Sequence, residues 1–343
     1  MIVLTLLIGA FGGAIAFLLS FPIPWLLGSM LSVSAFQFSG CKLTRPHKKI
    51  ERLMRVLIGV VLGAAVASNL KSFSGLLLNT ILIAIVFVIL VTAFGTQYFS
   101  RLKDFKILDG FMSSLPGGLS FLIALSGDLG NRFPKIALIH TVRVIVLVFT
   151  FSLLAVFLEA ENASPTFIQS FVFDVDHFSW RLTVLIVISA VIAEKAKIAG
   201  GHILFSLILS TLAYQFAWVE VIMPELVKTV AMIVFGSLLG HELSKKPDES
   251  YITAIFSSIF FTVGVMLVAL LLALLISSYV DQHYLLFLLA LAPGGIAEIS
   301  LITIALGFDA GFVAAVHACR FGFIMLVGPI GLNLARLKEK GDR

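Results

Sequence analysis

Two short patterns recur in this chain, and their residue types have chemical capacity. His140 and Arg143 stand three positions apart, and His317 and Arg320 repeat the pair. On a helix, that spacing puts both side chains on one face. Upstream of each pair lies a Pro-Gly-Gly triplet, Pro116, Gly117 and Gly118 in one case and Pro293, Gly294 and Gly295 in the other. Proline ends a helix by removing a donor, and the glycines permit a tight turn whose backbone can come close to a ligand. A helix restarting after such a turn presents free N–H groups and the positive end of its dipole, a natural site for an anion or polar solute. Ser120 follows the first turn, and Glu298 and Ser300 follow the second. The chemistry expected of this set is solute binding, with no catalytic residue, no metal ligand set and no cofactor.

Each feature also has a plainer reading. The triplets could be simple helix breaks. Each Arg could hold the open carbonyls at the C-terminal end of a neighbouring segment, or reach along the membrane to its interface. Each His could make a helix-contact hydrogen bond or handle a proton. Glu298 could carry a coupling proton or balance Arg320 or Arg143, and the sequence does not choose between these roles.

The elements that position these residues are apolar. Hydrophobic residues make up 59% of the 343 positions, charged residues 13%, and the mean hydropathy is +1.09. A soluble core needs far less, so the bilayer is the expected solvent. Runs such as Ile81 to Phe94 and Phe260 to Ile276 carry no ionisable group, over lengths comparable to the ~20 residues that span a bilayer. Met1 to Ser20 has neither a basic leader nor a small-residue cleavage pattern and reads as a retained first helix.

Sliding the chain by 177 positions superposes residues 1–166 on 178–343. The two triplets, the two His-Arg pairs, Gly59 and Gly63 with Gly236 and Gly240, and Ser29 with Ser206 all come into register. Helix-packing glycines alone would explain the Gly pairs, but not the His and Arg. The expected division is a first membrane repeat over 1–166, an external acidic linker over 167–177 and a second membrane repeat over 178–343. The first copy offers apolar segments at roughly 2–20, 22–40, 53–69, 75–100, 107–127 and 136–158.

Charge decides how the copies relate. If each triplet segment enters and leaves on one side, every copy makes about five crossings and the copies are inverted. With the N-terminus inside, nineteen of the 24 Lys and Arg then fall in the cytoplasm, as the positive-inside rule asks. Lys71, Arg181 and Lys228 fall outside, and Arg143 and Arg320 within the membrane. The expected fold is therefore an all-α polytopic membrane protein of two inverted repeats, each with a re-entrant or broken PGG helix. The arm Ile107 to Leu115 would be ~14 Å long as helix, about half the hydrocarbon thickness, placing its tip near the midplane. The location expected is the bacterial inner membrane, with both termini cytoplasmic. Inverted repeats with broken helices are the architecture of many secondary transporters.

Other classes fit less well. The formal charge of +5 sits in short loops, so no nucleic acid partner follows. Cys41 and Cys319 give no disulfide or metal spacing. The seven His residues are scattered, with only the 140 and 317 pair related by the offset, so a metal-dependent oxygenase lacks a clustered ligand pattern.

The repeated Pro-Gly-Gly, His and Arg pattern, with Pro24-Trp25-Leu26-Leu27-Gly28-Ser29 and Leu291-Ala292-Pro293-Gly294-Gly295-Ile296-Ala297-Glu298, resembles the bacterial AbrB-type membrane duplication family. The likeness covers essentially the whole chain. Members also carry an ammonia monooxygenase label and a regulator label, and the resemblance brings no substrate with it. The family keeps an acidic residue after both triplets, whereas this chain has Phe121 at the first.

The function expected is an integral-membrane secondary transporter for a small anionic organic solute, held between two opposed PGG hairpins. The alternatives are a membrane protein that affects gene regulation indirectly and a metal-dependent monooxygenase. The partners expected are a small-molecule substrate and the lipid bilayer, and the pattern is compatible with a homodimer.

Overall fold

The computed structural model describes residues 2–21, 23–69, 74–102, 105–116, 133–159, 180–196, 198, 200–219, 225–243 and 249–341. Of the sequence expectations, Lys71, Gly117, Gly118, Ser120, Phe121 and the linker 167–177 lie outside these residues.

Among the described residues every regular element is a helix. The first copy contributes α1 (Ile2–Leu18), α2 (Pro24–Phe38), α3 (Lys48–Asn69), α4 (Ser74–Phe99), α5 (Ile107–Ser114) and α6 (Phe133–Glu159). The second contributes α7 (Trp180–Ala196), α8 (Gly201–Gln215), α9 (Glu225–Leu243), α10 (Glu249–Ser277), α11 (Tyr284–Leu291), α12 (Ile296–Ala305) and α13 (Ala310–Gly341). Four of them, α4, α6, α10 and α13, are long and apolar enough to cross a membrane. The others are shorter or more charged. α2 and α8 have 15 residues each, or ~22 Å, against a hydrocarbon core of ~30 Å.

Helix ends follow local chemistry. α3 starts before the apolar stretch that announces it, because the His47 Nδ1 accepts from the Lys49 N–H at 3.1 Å, and Arg55 donates to Glu51 one turn away at 2.8 Å. α2 begins after Ile23 and α8 after Gly200, both left-handed. α2 ends at left-handed Gly40 and α8 at left-handed Ala217, the position 177 residues on. In both, the next N–H reaches back five residues, Cys41 to the Phe36 carbonyl at 3.1 Å and Trp218 to that of Ala213 at 2.9 Å. This is the hydrogen bond of a Schellman cap.

The chain divides into two compact units that cut across the copies. Unit 1 comprises 1–68, 148–246 and 300–311, and unit 2 comprises 69–147, 247–299 and 312–343. Residues 1–68 and their counterparts 178–245 both fall in unit 1, while most of the remainder of each copy falls in unit 2.

Unit 1 joins the copies through glycines. A Cβ on Gly59 or Gly63 of α3 would collide with the backbone of Ile203 or Leu207 of α8. Shifted by 177, the same contacts appear as Gly236 and Gly240 of α9 against the backbone of Leu26 and Met30 of α2. The hydroxyls repeat the exchange: Thr211 donates to the Gly63 carbonyl at 3.0 Å, and Ser34 to that of Gly240 at 3.1 Å. The contacts of one pairing are thus made again by the offset partners of its residues. Both helix pairs run side by side in one direction.

Charged groups gather at one end of unit 1. Arg45 lies 3.4 Å from Glu51 and 3.8 Å from Glu242, Arg52 lies 2.8 Å from Glu194, and His202 lies 3.2 Å from the same carboxylate. Singly such exposed pairs contribute little, but together they bring the end of α2, the start of α3, the end of α7, the start of α8 and the end of α9 to one level.

Unit 2 packs long helices around short ones. Gly110 of α5 lies against the Thr96 carbonyl of α4, and Gly95 of α4 against Ser114 of α5 and Phe261 of α10. Phe261 also stacks with Phe94 and Tyr98 at ring separations of 6.3 and 5.6 Å. Further along, α4 and α10 flank an apolar groove of about 760 Å³ lined by residues such as Leu90, Val91, Gly264 and Val268.

Candidate functional site

The site begins with two helices that stop early. α5 and α11 have eight residues each, and both stop one residue before the one preceding a proline. Leu115 and Ala292, before Pro116 and Pro293, have extended ψ values of 121° and 135°. Steric clash with the proline ring drives that residue out of the helical region. At the opposite end, Asp109 accepts from the Lys106 N–H at 2.9 Å, and His283 accepts from that of Leu285 at 3.3 Å. The starts are thus capped by side chains, while the last carbonyls have no partner inside the helix.

The two His-Arg pairs take those carbonyls. His140 on α6 bonds the Met112 carbonyl at 2.9 Å, and Arg143 donates to that of Leu115 at 3.0 Å. In the second copy His317 on α13 bonds the Leu289 carbonyl at 3.0 Å, and Arg320 donates to those of Ala292 and Gly294 at 2.7 Å each. Met112 with Leu289, and Leu115 with Ala292, are partners under the 177-residue shift. All four side chains are buried, none more than 3% exposed. A cation at a helix C-terminus meets the negative end of the dipole, so the interruption that creates the carbonyls also supplies the field that holds the Arg.

Within each pair the Arg also donates to the His Nδ1, at 2.6 Å in the first copy and 3.0 Å in the second. Guanidinium donates only and a carbonyl accepts only. The imidazole between them must accept at Nδ1 and donate from Nε2, which fixes it as the neutral Nε2–H tautomer. Both ring nitrogens are committed, and neither is open to a metal or a second proton. The two His residues are positioning groups for the arginines.

Both His-Arg pairs lie in unit 2. Pro293 and Gly294 are buried, and Gly294 sits against Ile299 and Leu147. Half-buried Glu298 is the third residue of α12, and its carboxylate folds back over Gly295. Ser300, fully buried with its hydroxyl unpartnered among the described residues, falls in the stretch assigned to unit 1. Of the first triplet, Pro116 is described and buried.

Two further hydroxyls take part at the site, one beside the first triplet in the sequence and one with no pattern signal. Ser114 donates to the Thr92 carbonyl at 3.1 Å and lies 3.3 Å from the Thr96 hydroxyl, pinning the end of α5 to α4. Ser258 of α10 donates to the Ile139 carbonyl of α6 at 2.8 Å, next to His140. Adjacent serines before a proline were the available hint for the first. For Ser258 there was none.

With this geometry in view, comparison with known proteins is decisive for kinship. The profile of the family described as "Transition state regulatory protein AbrB" matches residues 25–336. The chain belongs to the AbrB family. Two relatives span nearly the full length of this AbrB-family chain. "Uncharacterized protein YhjN" of Bacillus subtilis (strain 168) is 22% identical over 350 residues, covering 94% of this chain and 90% of its own. "Putative regulator AbrB" of Escherichia coli (strain K12) is 21% identical over 323 residues, covering 90% and 88%. With its four long apolar helices, this AbrB-family chain is a helical membrane protein.

Proposed function

We propose that this AbrB-family protein is a secondary transporter for a small anionic organic solute, bound where the two PGG tips meet, and that it is not an enzyme. The observation that carries the reading is a pair of buried arginines in unit 2, Arg143 and Arg320, each anchored to the end of a short helix that stops before a proline. A buried cation inside a membrane protein is expensive, and two together demand a purpose. A solute anion at the tips would meet two side chains that keep their positive charge.

Contacts support inverted copies. α8 is the counterpart of α2, yet α8 begins at the charged end of unit 1 where α2 finishes. That end collects Arg45, Arg52, Arg55 and their acidic partners, which suits a cytoplasmic face under the positive-inside rule. The termini would then be cytoplasmic, in an inner membrane.

The second tip supports a re-entrant hairpin. α11 runs along α13 in the same direction, since Leu289 meets His317 and Ala292 meets Arg320. After the tip the chain must return to Ala310, ten residues before Arg320, or ~15 Å along the helix. The ten residues of α12 are ~15 Å long, the length needed to run straight back.

The test is uptake of labelled small carboxylates into proteoliposomes. Arg143→Lys and Arg320→Lys keep the charge but lose the planar fork that reaches carbonyls and anion together. Both should depress uptake at least tenfold while the protein remains monodisperse. Wild-type uptake of none of the carboxylates, or full activity in both variants, would overturn the reading.

The family description favours a regulatory role as a second reading. A membrane-embedded helical protein would exert it by changing the pool of the solute it moves.

A further inference from the structure

We propose that the apolar groove between α4 and α10 is a binding site for an anionic phospholipid, with an acyl tail lying in the groove and the phosphate at Arg101. The inference is independent of the transport reading and needs only that the chain lies in a bilayer.

The two copies build the groove from the same positions. Ile83, Phe87 and Val91 of α4 line it together with their partners under the 177-residue shift, Phe260, Gly264 and Val268 of α10. The counterpart of buried Phe87 is thus a glycine, and a Cβ built on Gly264 meets nothing within 4 Å. The missing ring leaves the space. Phe87, Val91 and Val265 are buried and form the floor, while Leu82, Leu90 and Phe260 are exposed along it. In a bilayer the medium that reaches such a face is hydrocarbon.

Its dimensions exclude a helix. The lining on α4 runs from Leu82 to Tyr98, ~24 Å of helix. A second helix of that length and ~10 Å across would fill roughly 1,900 Å³, against about 760 Å³ in the groove. A helix from a second copy or from another protein therefore does not seat in it. A single file of methylene groups does.

Charge gives the lipid its direction. Tyr98 ends the groove, its ring on Phe261 at 5.6 Å and its hydroxyl donating to the Ser257 carbonyl at 3.4 Å. Tyrosine at the end of a membrane helix marks the headgroup level. Arg101 stands just beyond, its N–H bonding the Tyr98 carbonyl at 3.3 Å, and its exposed side chain has no hydrogen bond or ion pair among the described residues. Lys106 precedes α5, and Lys135 lies over the Phe105 ring at 5.1 Å. Past Leu272, at the other end, the next charged residue of the chain is Asp281. The Tyr98 end thus carries the cations, and an anionic headgroup belongs there. Basic sites between membrane helices hold lipid phosphate in this way, and Arg can meet it with two N–H groups at once.

The experiment reconstitutes the full chain, carrying Cys41→Ser and Cys319→Ser, in phosphatidylcholine vesicles doped with phosphatidylglycerol or phosphatidylcholine bearing a diazirine in the tail. After illumination, adducts are mapped by mass spectrometry. They should concentrate on the groove residues of α4 and α10 and not on the exposed apolar face of α1 at Leu4, Leu7 and Phe11. Phosphatidylglycerol should label the groove about fivefold more than phosphatidylcholine, the ratio set by one Arg near an anionic headgroup. Gly264→Phe fills the open space and should remove the groove adducts, while Arg101→Gln should keep them and bring the ratio to about one. If Gly264→Phe does not fold, the wild-type map and Arg101→Gln decide. Adducts spread evenly over α1 and the groove, equal labelling by the two lipids, or a preference that survives Arg101→Gln overturns the proposal. So does a Leu90→Cys variant that forms disulfide-linked dimers in the vesicles, because a second copy would then cover the groove.

Discussion

In unit 1 the copies meet where Gly59 and Gly236 of one element touch bare backbone of another. In unit 2 Arg143 and Arg320 each clasp the carbonyls of a short helix of their own copy, and the copies meet through contacts such as Ser258 with the Ile139 carbonyl. Glycine-to-backbone contact leaves no slack, since displacement in either direction makes a clash or a void. Contact through charged donors depends on the groups present and on their charge, so a bound ligand can alter it. The difference assigns the two units different work, with unit 1 as a close-fitting frame and unit 2 as the body that carries the chemistry.

Removing an arginine tests the second half of that contrast with the largest effect. Arg320→Ala strands the Ala292 and Gly294 carbonyls and leaves the His317 Nδ1 without its donor. Breaking a buried charged network in this way costs about 3–5 kcal/mol. Thermal melting in detergent should show a large loss, with uptake abolished. A variant melting like wild type would mean the tip is not held by this side chain. The frame should respond more modestly. Gly236→Leu drives a side chain into Leu26 and Ser29, and overpacking of this kind costs about 1–3 kcal/mol. Its two-fold partner Gly59→Leu should match it within experimental error. Unequal losses would undercut the symmetry of unit 1.

The contrast was only half legible in the sequence. The duplication, the helical class, the triplets and the His-Arg pairs could be read because each leaves a residue-level signature at a fixed offset. That the pairs hold carbonyls could be raised as one option but not decided, because the partners are backbone atoms of Met112, Leu115, Leu289 and Ala292, whose side chains say nothing about them. The two compact units were invisible for a related reason. Gly59 and Gly236 mark close approach without naming the helix approached, so the sequence could not say which helices of the two copies share a unit. The early start of α3 was missed because capping by His47 lies outside the apolar pattern.

Histidine sharpens the account of the tip at a smaller scale. His317→Ala leaves the Leu289 carbonyl unpaired and frees one Arg320 N–H, about 1–3 kcal/mol for two buried hydrogen bonds lost. Nitrogen NMR of labelled histidine offers a sharper check. The His140 and His317 rings should show a protonated Nε2 and a bare Nδ1, unchanged across the range in which an exposed histidine titrates. A ring that gains a proton there would mean that the Arg contact is not permanent.

The smallest expected effect lies within the frame, at the two helix ends that should be alike. Gly40 and Ala217 are offset partners in left-handed conformation, at φ values of 98° and 51°. Nothing lies within 4 Å of a Cβ built on Gly40, so Gly40→Ala meets no neighbour and pays only for backbone strain, ~1–2 kcal/mol. Stiffening of the unfolded chain returns about 0.4–1 kcal/mol, for a net loss of roughly 1 kcal/mol. Ala217→Gly runs the other way but from a φ nearer the alanine-tolerated region, so relief and added chain entropy nearly cancel and the gain stays within a few tenths of a kcal/mol. Melting curves for both variants would decide. Shifts equal in size and opposite in sign would show that the two caps carry the same strain, and that the difference in φ between them has no energetic weight.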